Sequence, residues 1–207
     1  MKRTSRSVLF LSLACAVLAF SANFAQAQKV DLAFGVSTVD APGIGNLTLG
    51  DPNHAPVSLT GGAYPGFSGD VLFYHHLGFG AEVFWRASQA NNYAGILGLN
   101  YRPLLYDFNA VYSPKLASHI YPELVAGIGA LSTRYYTGVS CGPYSCTNYQ
   151  SSNHFDADFG GGIKLYPGHG FFVRPEVRVY IINNNTDFSS NHAMRYGMSI
   201  GYTFGQH

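Results

Sequence analysis

The 207-residue chain has little charge: only 11% of its residues are Asp, Glu, Lys or Arg, against about 25% in ordinary soluble domains. So little charge disfavours a disordered chain and a nucleic-acid-binding protein, because both depend on many charged side chains. Beyond residue 27 the sequence also lacks an apolar run long enough for a transmembrane helix. Aromatic residues are abundant, with 15 Tyr, 15 Phe and one Trp. This composition favours an all-β or membrane protein, and the length favours one domain.

The first 27 residues have the parts of a secretory signal peptide. A basic start precedes an apolar run from Val8 to Phe20, and Ala25-Gln26-Ala27 supplies the small-x-small cleavage pattern. We therefore predict a signal peptide at 1–27, cleaved between Ala27 and Gln28, and a single domain at 28–207. An uncleaved anchor is disfavoured because the run is shorter than the roughly 18 residues that a spanning helix needs. Cleavage removes three of the 12 Lys and Arg and none of the 11 Asp and Glu, which leaves a formal charge of −2.

The mature chain alternates apolar and polar residues. From Phe171 to Ile181 the odd positions are apolar or Pro, whereas Arg174, Glu176 and Arg178 hold even positions. This period of two is typical of a strand with one apolar face, because a helix would space its apolar residues by three and four. The pattern predicts eight strands: Val30–Val39, Gly66–Tyr74, Leu77–Ser88, Gly95–Tyr112 with a kink at Arg102-Pro103, His119–Tyr136, Phe155–Tyr166, Phe171–Ile181 and Met194–Phe204.

Short and longer connections alternate between these strands. The short ones are Tyr74–Leu77, Ser113–Ser118 and Pro167–Gly170, and the mostly longer ones are Asp40–Pro65, Gln89–Ala94, Thr137–Ser152 and Asn183–Asn191. Periplasmic turns and extracellular loops alternate in this way in outer-membrane barrels, and a closed barrel satisfies its backbone in lipid. The sequence therefore predicts an all-β, eight-stranded antiparallel up-and-down transmembrane β-barrel in the bacterial outer membrane, preceded by a cleaved signal peptide.

Nearly all strand charges fall on one face. The polar positions hold Asp31, Asp70, Glu82, Asp107, Glu123, Asp156, Asp158 and Glu176 together with Arg86, Lys164, Arg174, Arg178 and Arg195. The apolar positions carry aromatic residues at both strand ends: Phe73, Phe79, Tyr112, Phe171 and Phe204 on the turn side, and Phe67, Trp85, Phe155 and Tyr196 on the loop side. These fit two interfacial girdles on an apolar outer face, although a soluble antiparallel barrel also alternates.

The polar face then lines the barrel interior. Its charges are expected to form a network that plugs the barrel, made of Glu82, Arg86, Glu123, Asp158, Lys164, Arg174, Glu176 and Arg178. Counting residues up from the short-turn side predicts Glu123, Lys164 and Arg174 in a lower layer, with Asp158 and Arg178 in an upper one. Pairing within these layers is expected because an unpaired buried charge is costly. The polar positions hold more acids than bases, so Asp31 and Asp156 are expected at the solvent-exposed rims of the barrel.

Residues 28 to 204 resemble the small eight-stranded outer-membrane barrels of the OmpX and OmpA-transmembrane-domain type. The resemblance is carried by the signal, the eight alternating segments, Phe79-Gly80-Ala81-Glu82-Val83, Arg174-Pro175-Glu176-Val177 and Tyr196–Phe204. The last segment is similar to the C-terminal signal read by the barrel assembly machinery, although Gly205-Gln206-His207 follow it. The family implies this fold, an outer-membrane location and contact with outer-membrane lipids. Its members serve in adhesion, stress resistance and envelope integrity, so a role does not transfer.

The interpretation is an integral outer-membrane protein without catalysis or cofactor, with a structural or surface-interaction role through its long loops. We expect a monomer that binds no nucleic acid. Thr137–Ser152, with Tyr135, Tyr136, Tyr144 and Tyr149, is the expected contact site for an extracellular ligand or host surface, unless these Tyr are girdle residues. One alternative is a narrow solute channel. Another is a lipid-modifying enzyme resembling the outer-membrane palmitoyltransferase, with Asp51, His54 and Ser58 as its triad.

Cysteine and histidine supply the remaining chemical candidates. Cys141 and Cys146 are the only cysteines of the mature chain, and the sequence predicts a disulfide between them in an exported loop. A metal or redox pair is disfavoured because no His or third Cys lies nearby and the spacing is not CxxC. Four histidines gather at predicted turns, so a metal or pH-sensing cluster is an alternative to simple polar turn residues: His75, His76, His119 and His169.

Overall fold

The computed structural model describes residues 29–41, 57–74, 76–92, 99–142, 146–183 and 190–205. Their main strands are β1 (Lys29–Asp40), β2 (Tyr64–Tyr74), β3 (Leu77–Trp85), β4 (Leu99–Tyr112), β5 (Ile120–Cys141), β6 (Cys146–Gly168), β7 (Phe171–Ile182) and β8 (His192–Phe204). A short segment, Ala90–Asn92, pairs with β4 just as β3 does and therefore continues the third strand. No helix in these ranges is long and apolar enough to cross a membrane.

The eight strands form a closed ring. Each strand pairs antiparallel with the next one along the chain, and β1 pairs with β8 from Val30 against Phe204 to Asp40 against Met194. The eight-stranded antiparallel up-and-down barrel predicted from the sequence is confirmed. Closure gives each strand of the ring a paired neighbour on both sides. We call the end with the short turns the lower end, and the end with the long connections the upper end.

The third and fourth strands differ in detail from the sequence prediction. Regular pairing of β3 ends at Trp85 rather than Ser88, and β4 continues through Pro103 without a register shift. The carbonyl of Pro103 accepts a hydrogen bond from the amide of Arg86 (3.0 Å) on the β3 side of the strand. Pro103 tolerates its missing N–H because that side lies beyond the last paired residue of β3.

The segment predicted as the loop Thr137–Ser152 is instead mostly paired β-structure. Strands β5 and β6 continue past the barrel wall as a hairpin, pairing Tyr136 with Tyr149 and, after a register shift, Cys141 with Cys146. The polar composition suggested a loop, but backbone pairing needs no apolar side chains where both faces of a hairpin are wet. The predicted disulfide between Cys141 and Cys146 is present near the hairpin tip.

Large apolar side chains cover the outside of the wall. Phe108 and Ile200, for example, are 68% and 63% exposed. Aromatic rings contact one another on this surface. Phe34, Phe67 and Trp85 form an upper row that runs from the middle of β1 to the upper end of β3, with centroids 5.2 and 6.1 Å apart. Phe171 packs on Tyr202 at 5.0 Å near the lower end. The outer surface is therefore an apolar band bordered by aromatic rings.

Candidate functional site

The candidate site is the barrel interior, where alternate side chains of all eight strands meet. Its lower layer centres on Lys164 of β6. The Lys164 ammonium lies 2.6 Å from Asp31 and 3.4 Å from Asp70, and it also pairs with Glu123. Asp31 is far along the chain and sits on the opposite wall, but an eight-stranded barrel is narrow enough for side chains to meet across it.

Arg174 of β7 belongs to the same layer. Its guanidinium lies 2.8 Å from Glu123, 3.2 Å from Asp70 and 3.2 Å from Glu176. It also donates hydrogen bonds to the hydroxyls of Ser68 (2.7 Å) and Ser199 (3.2 Å). Arg174 is 1% exposed, so these contacts replace nearly all of its hydration. A guanidinium satisfied in this way is held rigidly at the centre of the barrel.

The upper layer centres on Glu82 of β3. The Glu82 carboxylate lies 2.7 Å from Arg195 and 3.2 Å from Arg178, and it accepts a hydrogen bond from the Tyr180 hydroxyl at 3.2 Å. Arg178 also pairs with Asp158 (3.2 Å), and Arg195 stacks 3.7 Å from the ring centroid of Phe84. Arg195 reaches Glu176 at 3.4 Å, which connects the two layers.

The structure brings together seven of the eight residues that the sequence assigned to the network. The seven are Glu82, Glu123, Asp158, Lys164, Arg174, Glu176 and Arg178. Arg86 is the exception, because it follows the last residue of β3 and lies against Gly62 at the upper end. Among the described residues, no carboxylate pairs with Arg86. The network instead includes Asp31, Asp70 and Arg195, which carried the right parity but no sequence signal for a partner.

Two acids expected at wet rims are buried instead. Asp31 is 2% exposed, and Asp156 has no measurable exposure. The rim prediction was wrong for Asp31 because Lys164 reaches across the lumen to it. It was wrong for Asp156 because this residue, although it pairs with the last residue of β7, faces Asp107 across Gly129 directly below the apolar side chain of Leu131.

Two glycines of β5 make room for polar pairs on the neighbouring strands. Gly127 lies between Asn109 and Asp158, and Gly129 lies between Asp107 and Asp156. A Cβ atom at either glycine would overlap the facing side-chain amide of Asn109 or carboxylate of Asp107. The missing side chains therefore allow residues from β4 and β6 to meet over β5.

The two pairs differ in their hydrogen bonding. The Asn109 amide, oriented with its nitrogen towards Asp158, donates to both carboxylate oxygens at 3.0 and 3.2 Å. The carboxyl groups of Asp107 and Asp156 likewise face each other across Gly129. No described group donates to any of their four oxygens. The Asn109–Asp158 pair thus matches a donor with an acceptor, whereas the Asp107–Asp156 pair brings two acids together.

This contrast yields a first prediction, for Asp107→Asn. The new amide can donate to Asp156 as Asn109 does to Asp158, and the like-charge contact is removed. We expect the variant to raise the free energy of unfolding by about 1 kcal/mol, measured by urea unfolding of the folded barrel. Asn109→Asp is the inverse control and should lower stability by a similar amount. A less stable Asp107→Asn would contradict this account of the pair.

An apolar layer fills the interior above the charges. It is built from Val39, Tyr64, Phe84, Tyr101, Leu105, Leu131, Tyr180, Ile182 and Ala193 on the strands, with Ala41, Val57 and Leu59 from the first long connection. Every strand except β6 contributes to it. Val57 and Leu59 are 1% and 2% exposed although they lie in a segment that the sequence indicated only as a polar loop. The sequence feature that could have indicated this burial is the placement of two apolar residues, Val57 and Leu59, at alternate positions.

The segment from Val57 to Thr60 is fixed in this layer by hydrogen bonds. The hydroxyls of Tyr64 and Tyr101 donate to the carbonyls of Leu59 (2.9 Å) and Ser58 (2.7 Å). The Thr60 hydroxyl donates to the carbonyl of Ala41 at 2.8 Å. We call Val57–Thr60 the plug segment, because it packs into the upper end of the barrel. At the lower end, Leu72, Val111 and Val125 form a second apolar cluster.

The other chemical candidates lie apart from this interior. His76 and His169 occupy left-handed turn positions with φ of 73° and 45°, and His119 contacts Ser118 in an exposed turn. In the described ranges no three His, Cys, Asp or Glu residues are placed to hold a metal ion. His75 lies outside those ranges, as do Asp51 and His54 of the suggested triad. The third member, Ser58, accepts a hydrogen bond from the Thr60 amide at 3.3 Å.

Solved structures that are similar to this chain include outer-membrane β-barrels. Neisserial surface protein A has a TM-score of 0.57 and 12% identity, over 86% of this chain and 97% of that one. A major outer membrane protein of Thermus thermophilus has a TM-score of 0.53 and 13% identity, over 86% and 100%. Ail, the attachment invasion locus protein of Yersinia pestis, has a TM-score of 0.52 and 9% identity, over 86% and 99%.

Sequence comparison adds no closer relative: no protein-family model matches the chain, and no curated protein does. At identities this low the structural likeness shows the fold alone. That fold is the one shared by these small outer-membrane β-barrel proteins.

Proposed function

We propose that the chain is an integral protein of the bacterial outer membrane, without catalytic activity, whose barrel is closed to solutes. The distribution of polarity across the wall carries this proposal. Large apolar side chains surround the outside, whereas ten ion-pair contacts between described residues lie within. A soluble barrel would reverse this arrangement, because soluble monomers rarely expose an apolar patch above about 600 Å². Lipid is the solvent that matches this wall.

Insertion into lipid is the decisive test. The purified chain should fold into phospholipid vesicles and migrate faster on an unheated gel than after boiling, because a closed barrel stays compact in detergent until heat unfolds it. In cells it should fractionate with the outer membrane. A protein that remains soluble, or whose mobility boiling leaves unchanged, would contradict the membrane assignment.

We further propose that the interior does not conduct. An eight-stranded barrel has room only for side chains, and here they form a charged centre between two apolar clusters. In planar bilayers the wild-type protein should show no stable conductance. A steady open channel from the pure protein would instead favour the narrow solute channel.

Export and assembly follow from the same proposal. We expect residues 1–27 to be removed as a signal peptide, so that the protein extracted from membranes begins at Gln28. We also expect the barrel assembly machinery to insert it as a monomer that contacts outer-membrane lipids. Mass spectrometry of the intact extracted protein checks the cleavage, since retention of the leader would add the mass of those 27 residues.

The surface role is proposed for the hairpin formed by the outer parts of β5 and β6. It stands above the barrel wall and is closed near its tip by the disulfide. A paired hairpin that projects from the wall in this way suits contact with an extracellular ligand or host surface.

An epitope tag tests which way the hairpin faces. A tag inserted after Gly142 should be labelled by antibody on intact cells. The same tag in the turn at Lys115, at the opposite end of the barrel, should be labelled only after the outer membrane is permeabilised. The reverse pattern would place the hairpin in the periplasm and remove its surface role.

A further inference from the structure

Two arginines lie side by side on the nearly uncharged outside of the wall. Among outward-facing residues of the described strands, only Asp40, Arg102 and Arg134 are charged. Arg102 of β4 and Arg134 of β5 are direct partners across the two strands. Their Cβ atoms are therefore about 5 Å apart, an arrangement in which like charges destabilise a sheet. In the ranges that the structure describes, no carboxylate pairs with either arginine.

Tyrosine rings hold both guanidinium groups in place. Arg134 lies 5.2 Å from the ring centroid of Tyr149, and Arg102 lies 6.0 Å from that of Tyr136. Arg102 also donates a hydrogen bond to the carbonyl of Ala87 at 3.3 Å. These contacts restrict two long side chains before any ligand arrives, which lowers the entropy lost on binding.

The two arginines lie immediately above the apolar band. The next outward residue below Arg102 is Leu104, which pairs with Trp85 of the upper row of aromatic rings. Trp is typical of the boundary between hydrocarbon and headgroups. A charged pair one step above this boundary lies at the depth of the lipid headgroups.

We propose that Arg102 and Arg134, with Tyr136 and Tyr149, bind the phosphate group of a lipid headgroup in the outer leaflet. Two adjacent guanidinium forks suit a phosphate, because each can donate two parallel hydrogen bonds to its oxygens. The anion would also remove the repulsion between the two cations. This inference rests on the proposed membrane location, since only a barrel in lipid brings headgroups to these residues.

A lipid-retention experiment tests the site. The barrel is folded in neutral detergent with lipid A that carries its phosphates, or with the same lipid A after their removal, and retained lipid is counted by native mass spectrometry. The wild type should retain the phosphorylated lipid preferentially. The double variant Arg102→Gln and Arg134→Gln should bind it about tenfold or more weakly, since hydrogen bonds between charged groups are strong. Lys115→Gln, a cation lost at the opposite end, should leave retention unchanged.

The other outcomes separate the site from the membrane assignment. Both arginines face outward and lie outside the buried network, so the variants should still fold. Unchanged gel mobility of the unheated samples would show that they do. Equal retention of the two lipids, or an equal loss in Lys115→Gln, would overturn the phosphate site alone. Displacement of the lipid by an excess of inorganic phosphate would assign the site to the free ion rather than the lipid. Failure of the native chain to enter vesicles would overturn the membrane location and the site together.

Discussion

Arg174→Ala is expected to lower the free energy of unfolding of the barrel by about 3–5 kcal/mol, the largest effect of any single truncation in the network. Arg174 pairs with Asp70, Glu123 and Glu176, and it is buried among them. Removing it leaves three carboxylates in a narrow interior with Lys164 and Arg195 as their remaining partners. The cost arises mainly from these uncompensated charges rather than from the lost contacts themselves.

Urea unfolding of the vesicle-inserted barrel measures this effect, with gel mobility as a second reading. Lys115→Ala is the matched control, because it removes a cation from an exposed turn. Arg174→Met combined with Glu123→Leu should lose less stability than Arg174→Ala, since it removes one charge of each sign. The pairing argument fails if Arg174→Ala is as stable as Lys115→Ala, or if the double variant is the weaker protein.

The face on which each strand residue lies could be predicted from the sequence. The side-chain period of a strand is two, so a slip of one residue would move every apolar side chain of that strand to the other face. The run Arg174, Glu176, Arg178 is therefore enough to place three charges inside once the alternating Val and Phe residues are placed outside. The same parity identified Asp31, Asp70 and Arg195 as inward-facing.

Partner choice across the lumen could not be predicted in the same way. Lys164 and Asp31 are 133 residues apart in the chain, and they meet because the stagger of the strands brings their layers to one height. Nothing in the local sequence of either residue reports that stagger. Layers could be assigned only among the adjacent strands β5, β6 and β7, as they were for Glu123, Lys164 and Arg174.

The closed upper end was missed for a different physical reason. Val57 and Leu59 lie in a connection whose composition indicates exposure, and the hydroxyls of Tyr64 and Tyr101 hold this segment in the apolar layer through the carbonyls of Leu59 and Ser58. Local composition reports the average preference of a segment, whereas burial here depends on a cavity that the strands create. The hairpin of β5 and β6 shows the converse, because backbone pairing with the neighbouring strand outweighs a polar composition.

Val177→Arg is expected to destabilise the lipid-inserted barrel by about 2–4 kcal/mol, because Val177 points outward near the middle of β7. It is 40% exposed on the wall, between Gly161 of β6 and Tyr196 of β8. An arginine there would place a charge against acyl chains near the membrane centre. The adjacent residue, Arg178, carries the same charge inside the barrel without this cost, because Glu82 and Asp158 pair with it.

A second arginine on the same face of β7 separates depth from polarity. Ile181 also points outward but lies one residue from the upper end of the strand, so Ile181→Arg should cost only about 0–1 kcal/mol. Arg178→Val should be destabilising although it makes the strand more apolar, because it leaves Asp158 and Glu82 short of a partner. Vesicle folding measures all three variants against wild type. Equal tolerance of arginine at 177 and 181 would mean that the outer face of β7 meets water, and the polarity of the wall would then need another explanation.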